Sequence, residues 1–388
     1  MDIRITTIDD LQQVKKLWAY CFENYEPFFS WYFREYYQEE NTLGAFLGNK
    51  LLSSLQLIPY NIYLRGSVLP TSYIVGVASF PESRGGGIVG KLMQEALVEL
   101  RKRKHGVSLL MPFQAGFYYP FNFEICYHHY KYEIKLEDLR PVASVYGDFV
   151  EIEGTDNITE LNKVYQQFVQ ERHGFIIRSP RNWRLLLEEH IGEKGFSYLL
   201  QKDGNFEGYI LYYLKDNKMI IREMAYTNYK AQKSLFKFIY DHRSQVEYLE
   251  WNAPLDDSTF YFLKDPKKGI TLYPFLTARI VDVAEVLSTI SYPKEINTEL
   301  VFRVKDNLAP WNNNVFHLTV VNGRAKIQET KRPPNFIIDI GAFSQLVFGR
   351  LSVGDLKYQG RLDIYVPESK ILLEKLFPPC NNYVNEYY

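Results

Sequence analysis

A glycine cluster beside an arginine is the part of this sequence best suited to chemistry. The segment GVASFPESRGGGIVGKLM, residues 76–93, carries Arg84 followed by four glycines between positions 85 and 90. Glycine adopts positive φ angles easily and lets a ligand approach the backbone closely. Successive N–H groups in front of a helix N-terminus form a concave site for phosphate or pyrophosphate, and an arginine adds a bidentate cation. The segment therefore predicts a phosphate-binding loop.

A strand and a helix must position this loop. The strand is expected from Ser72 to Phe80, and the helix from Ile88 to about Lys104, with its apolar residues on one face and the cations of RKRK at its C-terminus. Neither G-x-x-x-x-G-K-[ST] nor G-x-G-x-x-G occurs, which disfavours a P-loop or a Rossmann dinucleotide site. The order strand, loop, helix instead indicates a pyrophosphate held at a helix N-terminus.

Composition and charge argue against several classes of protein. The 388 residues include 45 Lys+Arg and 46 Asp+Glu, a net charge of −1, which is atypical of a general nucleic-acid binder. The three cysteines are widely spaced without a C-x-x-C, so we expect neither a disulfide framework nor a zinc site, and no metal. No signal segment or long apolar run is present. We therefore expect a cytoplasmic protein that binds neither membranes nor nucleic acid.

The predicted elements repeat along the chain. After the first unit, a helix near 156–171, three strands, a helix near 229–242 and the strand YLEWNAP follow in the same order, but TNYKAQKS stands where the first unit has SRGGGIVG. From about Ser291, alternating apolar runs with two interrupting helices indicate a third, α+β domain. The expected domains are 1–145, 146–288 and 289–388.

The motif and the order of domains resemble a known family. The spacing V-x-x-x-P-x-x-R-x-x-G starts at Val77 and is followed by an amphipathic helix. It resembles the acetyl-CoA signature of the GNAT acetyltransferase superfamily. An intact unit, a second unit without the loop and a domain similar to the sterol carrier protein fold together resemble the Eis (enhanced intracellular survival) family of bacterial N-acetyltransferases. The resemblance covers essentially the whole chain. It implies an α+β chain of tandem GNAT folds, the second degenerate, followed by a sterol-carrier-protein-like domain.

The resemblance also implies which residues contact acetyl-CoA, the cosubstrate. Val77 to Ser79 are expected to splay from the neighbouring strand and hydrogen-bond the pantetheine arm, while the residues from Arg84 to Gly90 cradle the pyrophosphate. Further contacts are expected after the next strand. The implied cofactor residues are Val77, Ala78, Ser79, Arg84, Gly85, Gly86, Gly87, Ile88, Val89, Gly90, Phe113 and Gln114.

Two catalytic groups follow from the same resemblance. The stretch FYYPFNF, residues 117–123, matches the family's aromatic loop and implies Tyr118 as the acid that protonates the leaving thiolate; Pro120 and Asn122 depart from the family pattern, which leaves Tyr119 as an alternative. A tyrosine with a pKa near 10 is protonated at neutral pH and can donate. The base implied is the α-carboxylate of Tyr388, carried back into the first domain by the apolar tail NNYVNEYY and acting through water.

The substrate implied is a primary amine on a bulky cationic acceptor. The aromatic stretch near the N-terminus corresponds to the family's amine pocket, and it offers Phe22 and Trp31 as walls and Glu23 and Glu26 as attracting carboxylates. Aminoglycoside-like compounds, polyamines and lysine side chains all fit this description. The resemblance further implies a homo-oligomer, a hexamer.

Two other functions are compatible with parts of the chain. A non-catalytic carrier would bind an apolar ligand in the C-terminal domain, but it needs an open apolar tunnel. An aminoacyl transferase of the peptidoglycan-bridge type would also carry tandem GNAT units. The third domain argues against that type, which normally lacks it.

Overall fold

The computed structural model describes residues 1–22 and 24–387. Its N-terminal third contains the elements β1 (Asp2–Ile5), α1 (Leu11–Cys21), α2 (Phe28–Trp31), β2 (Thr42–Leu47), β3 (Lys50–Leu64), β4 (Ser67–Ser79), α3 (Ile88–Lys102), β5 (Val107–Leu110), α4 (Ala115–Tyr118) and β6 (Glu124–Lys135). A π-helical turn, Tyr32–Tyr36, continues α2.

The middle of the chain contains the elements β7 (Asp148–Glu151), α5 (Ile158–Val169), β8 (Phe175–Ile177), α6 (Pro180–Gly192), β9 (Phe196–Lys202), β10 (Asn205–Lys215), β11 (Lys218–Tyr226), α7 (Tyr229–Asp241) and β12 (Tyr248–Ala253). The remainder contains β13 (Ile270–Ile280), α8 (Val283–Thr289), β14 (Thr298–Lys305), β15 (Val315–Val321), β16 (Arg324–Glu329), β17 (Phe336–Asp339), α9 (Ile340–Val347), α10 (Val353–Tyr358), β18 (Leu362–Ile364) and α11 (Glu368–Leu376).

The chain forms two compact units. The first unit comprises residues 1–127, 173–177 and 275–388, and the second comprises 128–172 and 178–274. In the first unit the strands follow the order β1-β2-β3-β4-β5-β13, with β8 also paired to β3. Neighbours are antiparallel except β4 and β5, which are parallel and flank α3 in the sequence. This is the arrangement that places the glycine loop at the end of a parallel strand pair.

The second unit repeats the arrangement. Its strands follow the order β6-β12-β11-β10-β9-β7, and β11 and β12 are its parallel pair, with α7 between them in the sequence. The apolar face of α7, which includes Leu235, Phe236 and Ile239, packs into a core with β10, β11 and β12.

A second sheet belongs to the C-terminal part of the first unit. It has the order β16-β15-β14-β17-β18, and α9 to α11 pack with it. Five phenylalanine rings fill its interior, with neighbouring ring centroids 5.2 to 6.2 Å apart: Phe302, Phe316, Phe336, Phe343 and Phe377. The expected fold class, an α+β chain with two similar units and a third domain, is confirmed.

Elements that the sequence pattern did not indicate have identifiable local causes. Helix α6 begins at Pro180, and the side chain of its N-cap Ser179 accepts a hydrogen bond from the Asn182 N–H; a capping residue followed by proline is a local start signal. Strand β13 contains Pro274, and a proline within such a segment is evidence against a strand when only the sequence is known, because proline cannot donate to the strand ladder. Strand β4 begins five residues before the predicted Ser72, because it pairs with β3 through Pro70.

Candidate active site

The parallel strands β4 and β5 separate at one end. Their pairing runs from Thr71–Val107 to Ile74–Leu110 and ends there, although β4 continues to Ser79. On its other edge β4 stays paired with β3 as far as Ser53–Ser79. Backbone groups of β4 beyond Ile74 on the β5 side are therefore not used by the strand ladder. Val77, Ala78 and Ser79 lie on this stretch.

A bulge at Gly76 lies two residues beyond the last pair of β4 and β5. The register between β3 and β4 shifts between Ser54 and Gln56, and Gly76 has a φ of 60° in the middle of the strand. A Cβ at this glycine would lie 2.6 Å from Cζ3 of Trp18 in α1. Only glycine therefore permits both the backbone angle and the packing of α1 on β4.

The glycine loop connects β4 to α3 and remains open. Gly85 and Gly87 have φ angles of 79° and 70°, and a Cβ on either would meet nothing within 4 Å. Gly87 is the N-cap of α3 and has no side chain to accept the first N–H groups of the helix. The Arg84 side chain is exposed and donates from Nε to the Ser79 carbonyl over 3.3 Å. The uncapped N-terminus of α3 and the exposed cation of Arg84 thus lie on the same solvent-accessible loop.

The other expected cofactor residues lie around this loop. Ile88 is buried in the core below α3, while Val89 and Gly90 are half-buried in its first turn. Phe113 and Gln114 are exposed in the segment after β5, and Gln114 is the N-cap of the short helix α4. The structure therefore gathers the expected residues at two places, the end of β4 with the start of α3 and the loop after β5.

Tyr118 ends α4 and is buried, whereas Tyr119 is exposed. Tyr118 shares a core cluster with Ile88 and Leu92 of α3, and it packs against Phe117 at 5.1 Å between ring centroids. Burial raises the pKa of the Tyr118 hydroxyl to about 12. Within the described residues, no hydrogen bond to this hydroxyl is made. Tyr118 is therefore a buried, neutral phenol, and its hydroxyl is not committed to a structural hydrogen bond.

The C-terminal tail is packed inside the first unit. Residues 382–386 are buried. The His173 N–H donates to the Asn381 carbonyl over 2.8 Å, and the His173 carbonyl accepts from the Tyr383 N–H over 2.9 Å. Between them, the Asn382 side-chain amide donates to the carbonyls of Cys126 (3.1 Å) and Phe348 (2.8 Å).

The last residues of the described tail approach the end of the β4–β5 pair. The Tyr73 hydroxyl of β4 donates to the Glu386 carbonyl over 3.3 Å, and Tyr387 packs on Phe275 of β13 at 5.0 Å. Tyr73 lies one residue before Ile74, the last residue of β4 that pairs with β5. Tyr388, the expected base, lies outside the described residues.

The expected acceptor segment forms an aromatic cluster. Phe22 packs on Trp18 at 4.8 Å, and Trp31 packs on Tyr36 at 5.7 Å between ring centroids. Glu26 is exposed, and its carboxylate accepts hydrogen bonds from the Ser30 N–H (3.2 Å) and hydroxyl (2.7 Å). Glu23 lies outside the described residues.

Three contributors to this region were not found from the sequence. Trp18 fixes the bulge, Tyr73 holds the tail, and Glu386 brings a buried carboxylate into the tail. Only Gly76 inside a strand pattern was a usable signal, because an isolated glycine there marks a bulge or a close approach. The contacts of Tyr73 and Glu386 join residues more than three hundred positions apart, and no local pattern reports them.

The second unit lacks an open loop at the equivalent place. The parallel pairing of β11 and β12 also stops, at Ile221–Trp251, while β11 continues to Tyr226. The helix that follows is capped, because the Asn228 side chain accepts the Ala231 N–H over 3.0 Å. The first N–H groups of α7 therefore have a partner in the protein itself.

A buried polar cluster occupies the end of that strand pair. The Asp257 carboxylate accepts hydrogen bonds from the Tyr132 hydroxyl (2.7 Å), the Gln232 amide (3.1 Å) and the Thr259 hydroxyl (2.9 Å). A negative charge and satisfied side chains there disfavour a phosphate. The two units thus share a fold, and the arrangement suited to a pyrophosphate is in the first.

The described residues contain no group of three or more His, Cys, Asp and Glu side chains that could hold a metal ion. None of the helices seen in residues 1–22 and 24–387 combines the length and apolar character needed to cross a membrane.

Comparison with known proteins assigns all three parts of the chain. Residues 2–126 and 174–280 each match a family described as acetyltransferase (GNAT) domain, and residues 283–385 match a sterol carrier protein domain. An uncharacterized N-acetyltransferase of Streptomyces avermitilis is 20% identical over 341 residues, 83% of either chain.

Solved structures match over the full length. A GCN5-related N-acetyltransferase from Anabaena variabilis has a TM-score of 0.88 at 22% identity, covering 100% of both chains. Eis1 from Mycobacterium abscessus has a TM-score of 0.78 at 19% identity, also over 100% of both chains. At these identities the structural likeness establishes the fold, and the matched families establish the domains.

Proposed function

We propose that this chain, which is an Eis-like N-acetyltransferase of the GNAT type, moves the acetyl group of acetyl-CoA to a primary amine on a bulky cationic acceptor. One observation carries the proposal: β4 and β5 separate where an open glycine loop, an arginine and an uncapped helix N-terminus follow β4. The second unit has the strand pair without that open loop.

The opened edge of β4 would hold the cosubstrate. The backbone of Val77 has no β5 partner, so it is available to hydrogen-bond an amide of the pantetheine arm. The Ala78 carbonyl already accepts from the Ser53 hydroxyl, and the Ser79 carbonyl accepts from Arg84, so a cosubstrate would have to compete for those two groups. The N–H groups of the loop and Arg84 would bind the pyrophosphate. An N–H near Val77 would also polarise the thioester carbonyl, since a fixed dipole in a partly desolvated site stabilises the charge that develops on that oxygen.

Tyr118 would protonate the leaving group. When the amine attacks the thioester carbonyl, the C–S bond breaks and the thiolate takes a proton or a strong hydrogen bond from a nearby acid. Tyr118 suits this role because its raised pKa, about 12, keeps the hydroxyl protonated at neutral pH. Tyr119 is exposed and would serve only if Tyr118 faces away from the sulfur.

The tail would supply the base. This proposal is supported by the burial of residues 382–386 and by the contacts of Glu386 with Tyr73 of β4 and of Tyr387 with Phe275 of β13. The α-carboxylate of Tyr388 would accept the amine proton through a water molecule, because a carboxylate of ordinary pKa is a weak base for an ammonium ion.

The acceptor class is inferred from rings and carboxylates. Trp31 and Tyr36 are half-buried aromatic rings, and the faces of such rings attract cations. Phe22, Glu23 and Glu26 would extend the same surface. Such a surface favours aminoglycoside-like compounds, polyamines or lysine side chains over neutral amines.

The packing of the C-terminal domain supports catalysis over lipid carriage. A carrier needs an open apolar tunnel, whereas five phenylalanine rings of this domain pack against one another, with neighbouring centroids 5.2 to 6.2 Å apart. The tail that starts from this domain is also bound into the first unit through Asn382.

The proposal also includes the domain boundaries, the cellular location and the oligomeric state. We expect domains at 1–145, 146–288 and 289–388, a cytoplasmic location and a homo-oligomer, a hexamer by resemblance. Light scattering during size exclusion chromatography would measure the assembly.

Release of free CoA thiol tests the central proposal. Purified protein is mixed with acetyl-CoA and a panel of aminoglycosides, polyamines, lysine peptides and neutral amines of similar size. Acceptor-dependent release, strongest with the cationic members, is expected. Release that does not depend on the charge of the acceptor would contradict the acceptor class, and absence of acetyl-CoA binding would contradict the cofactor site.

A further inference from the structure

We propose that the buried pair Arg279–Asp306 is a positioning pair that holds the Tyr118 loop, so that the sterol-carrier-like domain takes part in catalysis. This inference rests on the proposed role of Tyr118. The loop is the segment 115–123, which begins with α4 and ends before β6.

Arg279 connects the two parts of the first unit. It lies in β13, pairs with Ser108 of β5 and is fully buried. One guanidinium nitrogen donates to the carbonyl of Phe121, three residues after Tyr118. Another donates to both carboxylate oxygens of Asp306, over 2.9 and 2.7 Å. A single planar group thus ties the tyrosine loop to the segment that follows β14.

Asp306 is itself fixed. Its Oδ1 accepts the backbone N–H groups of Leu308 and Ala309, each over 3.1 Å, and its Oδ2 accepts from the Asn312 amide over 3.1 Å. The Asn312 amide also bonds the carbonyl of Val281, two residues after Arg279 in the chain. The carboxylate therefore has little freedom, and the direction of the guanidinium fork is set by it.

The loop is held a second time where β6 begins. Glu124 pairs with Arg361 over 2.7 Å, and the Gln345 amide donates to the Ile125 carbonyl over 3.3 Å. Both partners come from the C-terminal domain. On its other side, the loop approaches α3, since a Cβ at Gly90 would lie 3.8 Å from the Phe121 ring.

A positioning role explains why the pair is ionic. A buried ion pair adds little net stability, because the desolvation of both charges offsets their attraction, and apolar residues of the same volume often serve as well. The ion pair is useful if the Arg279 guanidinium must point to the Phe121 carbonyl. Catalytic geometry is sensitive to such constraints, because a displacement of about 1 Å can lower turnover about a hundredfold.

The test removes both charges and keeps the backbone cap. The double variant Arg279→Met with Asp306→Asn is neutral, preserves volume and leaves an amide oxygen for the N–H groups at 308 and 309. We expect it to bind acetyl-CoA as tightly as the wild type, while kcat falls about 10- to 100-fold. Arg279→Lys keeps the charge beside Asp306 but cannot donate to two partners at once, so it should lower kcat by less than the double variant does. It replaces the double variant in this test if the double variant is too unstable to assay.

Combination with Tyr118→Phe separates positioning from general destabilisation. If the pair acts through Tyr118, the double variant lowers kcat in the wild-type background and adds little in the Tyr118→Phe background. An equal loss in both backgrounds, or an unchanged kcat in the wild-type background, overturns the inference. Full activity of Tyr118→Phe alone would instead remove the proposed role of Tyr118, and the inference with it.

The second unit supplies a matched control. Arg178 and Glu223 form a comparably buried, bidentate pair with both nitrogen–oxygen distances at 2.6 Å. The variant Arg178→Met with Glu223→Gln removes the same chemistry at a distance in sequence from the Tyr118 loop. It should lower the melting temperature and leave kcat near the wild-type value; a kcat loss equal to that of the Arg279 variant would overturn the inference.

Discussion

Replacing Tyr118 with phenylalanine should remove most turnover and leave the fold intact. The hydroxyl makes no hydrogen bond with a described residue, so its removal should cost little stability. General acids contribute about 10²- to 10⁴-fold to a rate. A thiol titrates near pH 8.5, so thiolate is already a fair leaving group, and the lower end applies. We therefore expect kcat to fall about 100-fold, or about 2.7 kcal/mol in the barrier.

Initial rates of CoA thiol release, measured against acetyl-CoA and against acceptor, test this expectation. The affinity for acetyl-CoA and the melting temperature should be unchanged, and Tyr119→Phe is the matched control that should keep its activity. Because burial raises the pKa of Tyr118 to about 12, the wild-type kcat should show no alkaline decline due to this group below about pH 11. Full activity of Tyr118→Phe, or an alkaline decline near pH 9 that this variant abolishes, would refute the reasoning.

Three further predictions concern the loop, the tail and the pH dependence of stability. Arg84→Glu should weaken acetyl-CoA binding at least about 10-fold in calorimetry, since a charge-assisted bond becomes a repulsion; unchanged affinity would contradict the loop assignment. Deletion of Tyr387 and Tyr388 should lower kcat with little change in acetyl-CoA affinity, and a fully active truncation would exclude the terminal carboxylate. Burial lowers the pKa of His190 to about 4, so the stability it contributes above pH 6.5 is lost as pH falls towards 4. Urea unfolding should show this loss, and His190→Leu should make it smaller by about 2 kcal/mol at pH 5. The rest of the loss should remain, because burial also lowers the pKa values of His105 and His173 to about 4; a pH dependence that is the same in the variant would contradict this.

The sequence predicted the parts of the fold whose causes are local. The helix after the loop begins at Ile88 as expected, because Gly87 takes a left-handed angle that ends the turn and an apolar face follows. The strand before the loop ends at Ser79, one residue before the expected Phe80. The degenerate second unit was visible because glycine is absent from TNYKAQKS.

The parts that were missed depend on distant partners. Strand β8, Phe175–Ile177, is only three residues long and exists because β3 pairs with it. Strand β13 contains Pro274 and joins β5 from a place more than 160 residues later in the chain. The tail contacts and the Arg279–Asp306 pair are likewise non-local, and a single sequence carries no pattern for them.

A shared fold with different loops explains how one unit can be catalytic while the other is structural. In both units the parallel pairing stops before the first strand of the pair ends. The separation of the two strands is therefore a property of the fold and does not depend on a cofactor site. What differs is the surroundings of the freed strand end. In the second unit Asn228 caps the following helix and Asp257 binds nearby side chains such as Tyr132. The first unit instead leaves a glycine N-cap exposed and lets the C-terminal tail approach through Tyr73. Restoring glycines to the second loop alone should therefore not create acetyl-CoA binding there, because the Asp257 carboxylate would still occupy the end of the strand pair.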